Sequence, residues 1–198
     1  HLYRQADGES TWEEVTGAIP VWYRNSDDTW SFVYEKISRT NGSGAVYRYK
    51  VEEEVPEDYR VYDFRDSDGN QVYLENVGDG SLTLTKEVTG SGGEPFREFH
   101  FTITVGTLPD GSNLPDGVYG EVSFRDGKAE ITLKSGESVR ADHLPGMVSY
   151  TVTEEEANLD RYRTTSEADQ GVIQPFAVTE VKFTNSRTSD DKDHPVKL

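Results

Sequence analysis

From Ser81 to Val88 the chain reads "SLTLTKEV", with apolar and polar residues in strict alternation. In a strand, successive side chains point to opposite faces, so Leu82, Leu84, Lys86 and Val88 share one face. Ser81, Thr83, Thr85 and Glu87 share the other. The same period of two runs through "AVYRYKVEEEV", "QVYLENV", "EFHFTITV", "KAEITLKSGESV", "VSYTVTEEE" and "TEVKFTNS". Val, Ile, Thr, Tyr and Phe fill these runs, and Gly, Asp, Asn and Pro punctuate them. Turn signals include Asp68-Gly69, Asp126-Gly127 and two copies of Leu-Pro-Asp-Gly, beginning at Leu108 and Leu114. Helical periodicity is confined to one short turn expected over 155–161. Many short strands with frequent turns predict an all-β protein built of β-sandwiches.

The segment "ENVGDGSL" reads as a linker centred on Gly78, Asp79 and Gly80. It divides the chain into a first sandwich over 1–78 and a second over 79–187. The polar stretch 188–198 reads as a linker, the start of a next module or a vector tail. The two parts share a pattern: Tyr-x-Val-x-Glu, a second tyrosine some residues on, and a closing strand that ends in Asn. Such internal similarity implies a duplicated module.

The alternation raises a chemical question, because an apolar strand face carries a lysine. In the second sandwich, Tyr150, Val152 and Glu154 share a face, as do Val181, Phe183 and Asn185. Three strands thus each place two apolar residues and then one polar residue on one face, and the polar residues are Lys86, Glu154 and Asn185. Burial disfavours the charged form of an ionisable group, and a neutral lysine amine is a nucleophile. A protonated Glu can hydrogen-bond an amide carbonyl and relay protons. This trio predicts attack of Lys86 on the Asn185 side-chain amide, release of ammonia and a Lys–Asn isopeptide bond. In the first part the corresponding positions are Tyr49, Val51 and Glu53, then Val72, Leu74 and Asn76. Lys36 and Lys50 are misplaced to serve as the nucleophile there.

The lysine of the opening strand, the Tyr-x-Val-x-Glu strand and the closing Phe-Thr-Asn strand resemble the collagen-adhesin B-type (Cna B-type) and pilin domains of Gram-positive surface proteins. The resemblance covers the second part nearly end to end. It implies two tandem Ig-like sandwiches, with Lys86 and Asn185 bonded and Glu154 as the catalytic group. In the first part the match begins at the family's second strand. There Glu53 is the equivalent catalyst and Asn76 the equivalent crosslink residue, with no lysine partner identified. The implied function is a stalk or shaft segment of a pilin or adhesin, anchored to the bacterial cell wall through a region outside this sequence. It is not an enzyme beyond one self-directed turnover, and no cofactor or metal is expected. Implied partners are neighbouring modules of the same surface protein, with a host matrix protein or glycan as further candidates. Strand exchange between chains through the tail is a further expectation. The alternative function is a ligand-binding adhesin tip or a carbohydrate-binding module.

Composition narrows the field. Of 198 residues, 33% are hydrophobic, but 11 Tyr and 8 Phe supply bulk for a core. A net charge of −17 argues against nucleic acid and against an anionic membrane surface. Without cysteine, an exported chain must be stabilised by something other than disulfides. Plainer readings compete for several residues. Lys86 could snorkel at a sheet rim or pair with Glu154 as an ion pair. Asp66, Asp68 and Asn70 alternate as in a calcium loop, but the glycine falls too early and no closing Glu follows, so a hairpin turn is expected. Trp12, Trp22 and Trp30, with Tyr23 and Tyr34, read as core residues or a sugar-stacking platform. The four histidines, His1, His100, His143 and His194, show no metal-binding spacing.

Overall fold

The computed structural model describes residues 1–65 and 72–189, with backbone alone at 63–65 and 72–73. The described residues form strands and turns with no helix. The strands are β1 (Leu2–Ala6), β2 (Glu13–Glu14), β3 (Val21–Arg24), β4 (Trp30–Val33), β5 (Tyr47–Val51), β6 (Tyr59–Arg65), β7 (Val72–Thr89) and β8 (Phe99–Val105). They continue with β9 (Gly117–Tyr119), β10 (Val122–Phe124), β11 (Lys128–Leu133), β12 (Ser138–Pro145), β13 (Ser149–Glu154), β14 (Arg163–Glu167), β15 (Gln170–Val172) and β16 (Val178–Ser186). No helix is long and apolar enough to cross a membrane among these residues. The alternation of the sequence accounts for the all-β class. Residues 155–161, expected as a helical turn, are turns instead.

The chain divides into two compact units, His1–Val55 and Pro56–Leu198. Unit one holds a three-stranded antiparallel sheet, β2-β1-β5, and a separate hairpin, β3-β4. Its buried residues are few: Leu2, Gln5 and Ala6. Both faces of the hairpin are largely exposed.

Unit two is the β-sandwich. One sheet runs β12-β7-β16-β14, with β6 also paired to β7, and the other runs β11-β8-β13-β15. The facing sides meet in one hydrophobic core that includes Leu82, Leu84, Phe99, Phe101, Ile103, Val152, Val181 and Phe183. The central pairing is parallel: β7 and β16 run side by side from Ser81↔Val178 to Thr89↔Ser186. Strands far apart in sequence are thus neighbours, which a hairpin connection cannot achieve.

The boundary differs from the one the sequence predicts. Residues 76–81 lie inside the 18-residue strand β7, not in a linker. Its first part pairs with β6, from Arg65↔Val72 to Tyr59↔Gly78. Its later part pairs with β12, where Gly80 lies opposite Leu144. The glycines serve close approach rather than flexibility. A Cβ on Gly78 would lie 2.1 Å from the Phe176 ring, and one on Gly80 would lie 2.4 Å from the Gln174 carbonyl oxygen. The sign of a substitution separates the two roles. Gly80→Ala is expected to destabilise unit two by about 1–3 kcal/mol through overpacking against backbone. A linker glycine would be neutral, or would gain about 0.4–1 kcal/mol on the same change. The denaturation midpoint of the variant, at unchanged m-value, decides between them.

Candidate functional site

The site lies inside the sandwich of unit two. Strand β7 brings Leu82, Leu84 and Lys86 inward, and β16 brings Val181, Phe183 and Asn185 inward. From the facing sheet, β13 points Tyr150, Val152 and Glu154 into the same interior, in a buried–exposed alternation. In the parallel register Lys86 lies beside Phe183 and Asn185 beside Val88, so Lys86 and Asn185 are two positions apart on adjacent strands. Lys86 and Asn185 are 0% exposed, and the Glu154 side chain is likewise closed off from solvent.

The three polar groups touch. Lys86 Nζ donates to Glu154 Oε2 at 2.9 Å. Asn185 Nδ2 donates a short hydrogen bond to Glu154 Oε1. One carboxylate therefore receives both the amine and the amide. Asn185 Oδ1 is buried and has no partner. An orphaned buried carbonyl is costly, on the order of 1–3 kcal/mol, and is uncommon in folded proteins. Around them the walls are aromatic. Lys86 Nζ lies 4.2 Å from the centroid of the Phe99 ring and 5.7 Å from that of Phe101. Phe101 meets Phe183 edge-on at 5.3 Å. Burial in these surroundings lowers the pKa of Lys86 below the ordinary lysine value, against the opposing pull of its hydrogen bond to Glu154. A buried ion pair recovers its desolvation only where geometry and added hydrogen bonds are favourable, and here the added bond is the one from Asn185 to Glu154. A neutral Lys86 amine is the nucleophilic form.

The other residues named from sequence are placed differently. Glu53 is exposed, just beyond the end of β5 in unit one, and Asn76 is exposed on β7 in unit two. Neither has the burial that the amine–amide chemistry requires. Trp22 meets its cross-strand neighbour Phe32 at a tilt of 52° and 5.0 Å, and Trp22 and Trp30 are largely exposed. Trp12 instead lies under the Lys50 ammonium. Asp66, Asp68, Asn70, His194 and most of the stretch 188–198 lie outside the described residues. One grouping escaped the sequence reading: His100, Glu155 and Glu156 bring one potential metal-ligand atom each within 4.8 Å of one another. His100 lies on β8 and the two glutamates in the turn that follows β13, so no spacing rule could reveal them. His100 is bonded to Glu156, which raises the histidine's pKa.

Comparison with known proteins follows the same residues. Residues 80–187 match the family described as Domain of unknown function (DUF7601). A protein named Pilin, from Streptococcus pyogenes serotype M1, is 27% identical over 160 residues, spanning 73% of this chain and 46% of its own length. The pilus tip adhesin Cpa of Streptococcus pyogenes is 42% identical over 77 residues, spanning 37% of this chain and 11% of its own length. The chain thus spans under half the length of either relative. Among solved structures, the major pilin T3.2 of Streptococcus pyogenes superposes with a TM-score of 0.48 at 20% identity, covering 94% of this chain and 89% of that one. With a family match over more than half of its length, the chain belongs to the Domain of unknown function (DUF7601) family.

Proposed function

We propose that this chain is a structural segment of a pilus shaft or pilus-borne adhesin outside the cell, and that unit two crosslinks itself between Lys86 and Asn185. The observation that carries the reading is the trio of contacting, solvent-free polar side chains in an otherwise apolar core. The proton of the Lys86 ammonium passes to Glu154 across the 2.9 Å contact, leaving a neutral amine and a protonated carboxyl group. A half-turn of the Asn185 amide then aims Oδ1 at that acid, which gives the orphaned oxygen a donor and polarises the carbonyl. The amine nitrogen attacks Cγ, the new C–N bond forms, and the bond from Cγ to Nδ2 breaks. Protons relayed through Glu154 leave with the nitrogen as ammonia. No outside reactant is consumed, and the product is a neutral amide in a site that had held two ionisable groups.

The names of the relatives support the pilus role, and the absence of cysteine fits a chain that needs another covalent brace. The exposed aromatic hairpin of unit one supports a ligand-facing role for that unit toward a host matrix protein or glycan. Intact mass tests the crosslink. The purified chain is expected to be lighter than its sequence by one ammonia, and Lys86→Ala and Glu154→Gln are expected to match their sequences in full. A wild-type mass equal to the bare sequence overturns the reading and leaves Lys86 and Glu154 as a buried ion pair.

A further inference from the structure

We propose that Tyr162 is a positioning residue for the Lys86–Asn185 coupling, closing the end of the sandwich over Phe99 and keeping water from the amine. The inference rests on the crosslinking function proposed above and assigns it a residue outside the trio. Tyr162 follows the turns at 155–161, just before β14, and is 4% exposed. Its ring meets Phe99 edge-on at 5.7 Å, and Phe99, itself 0% exposed, is the ring against which Lys86 Nζ rests. Phe99 is bordered by Tyr162 and also by Arg97, whose guanidinium carbon lies 5.4 Å from the Phe99 centroid. Arg97 and Arg187 place their guanidinium carbons 5.6 and 5.4 Å from the centroid of the Tyr162 ring.

The cap is fastened from several directions. The Tyr162 hydroxyl accepts the backbone N–H of Glu94 at 3.0 Å, which ties it to the β7–β8 connection. Arg97 bonds Asp160, and Arg187 pairs with Glu94 at 3.4 Å. The preceding turns place Asn158, Asp160 and Arg161 at positive φ, a left-handed conformation uncommon for residues other than glycine. Asn158 and Thr164 close the loop reciprocally, each donating its backbone N–H to the other's side-chain oxygen. Strained backbone persists where surrounding structure enforces it, and such sites cluster where function needs a fixed geometry. Here the enforced geometry delivers one aromatic ring to the rim of the reaction chamber. It also gives a use to the second tyrosine of the sequence pattern, which the trio leaves unexplained.

The test follows the coupling itself. Chain kept unfolded in urea from synthesis onward is diluted into buffers from about pH 6 to 10, a span that reaches the ordinary lysine value. Loss of ammonia is then timed by mass. The groups bearing charge on Lys86 are Glu154 and, further off, Glu156. Wild type, whose amine burial holds below the ordinary lysine value, is expected to react with a weaker pH dependence than a hydrated lysine would give. Tyr162→Phe keeps the ring and should match it. Tyr162→Ala admits water, so the amine regains its hydration and its ordinary affinity for a proton. Its rate should fall on the order of tenfold at pH 7, the neutral fraction lost for each unit of rise in pKa, and climb as the pH approaches the lysine value. Tyr162→Leu, which keeps apolar cover, should show the same change of profile to a smaller degree, and it decides the matter if the alanine variant does not fold. A wild-type rate and profile in the folded variant overturns the proposal, as does slowing by one factor at every pH. A wild type that never loses ammonia removes the crosslink reading itself, whereas a reacting wild type with an indifferent Tyr162 removes the cap alone.

Discussion

Glu154→Ala is expected to be the most damaging single substitution in the chain. In the proposed coupling it removes the group that accepts the amine proton, so no bond is expected to form, and it strands Lys86 in an apolar core. Removing one partner of a buried pair costs about 3–5 kcal/mol. The lost crosslink, which closes a loop of nearly a hundred residues, is worth about 4–5 kcal/mol by the chain-entropy argument. The two losses share residues and are not additive in full. A pH signature separates them. In the variant the folded state holds Lys86 below its ordinary pKa, while the unfolded chain keeps it near about 10.4, so the unfolded state binds more protons between the two values. Stability therefore rises with pH across that window and levels off above it. Guanidinium midpoints taken from neutral to alkaline pH give the measurement. The double variant Lys86→Met with Glu154→Leu supplies the contrast: it lacks the bond but buries no charge, so it should regain the pair penalty and lose the pH slope. A Glu154→Ala midpoint close to wild type at neutral pH would sink the account of the trio.

The second large effect is mechanical. Force applied along the chain enters β7 from its N-terminal side and leaves through the C-terminal end of β16. These strands lie side by side and parallel, so the load shears them along their length. If Lys86 is joined to Asn185 as proposed, tension crosses the new amide and residues 87–184 carry none of it. In single-molecule pulling, wild-type unit two should show no release of that segment at any force below covalent rupture. Lys86→Ala should release it in one step of about 350 Å, at roughly 3.6 Å for each extended residue. A wild-type trace with the same step would mean that the strands are joined by hydrogen bonds alone.

The trio was legible in sequence because strand geometry has a period of two. Once Leu82 and Leu84 face inward, Lys86 must follow, and the same holds for Glu154 behind Val152 and Asn185 behind Phe183. Which strands meet was not legible from that period, since the parallel neighbours β7 and β16 are separated by almost the whole unit. Gly78 and Gly80 misled for a physical reason. Glycine reads alike whether it gives freedom or gives room, and only the positions of Gln174 and Phe176 show that room is what it supplies. The shared pattern that suggested Glu53 and Asn76 was local similarity without a common core to bury them. Tyr162 was visible as a repeated tyrosine, but its task depends on irregular turns whose backbone no alternation describes.

The continuity of β7 has a consequence for how unit two opens. Its N-terminal residues pair with β6, its later residues with β12 and β16, and no flexible joint separates the two stretches. Arg60 of β6 also reaches Asp79 at 2.7 Å and the His143 carbonyl at 2.7 Å. The β6–β7 pair is therefore not expected to fray as an appendage: amide protons near Val77 should exchange with solvent through the same openings that expose Leu82 and Leu84. The covalent brace proposed at Lys86 is then expected to slow exchange well outside the loop that it would close, because the strand that it would pin is the one β6 pairs with.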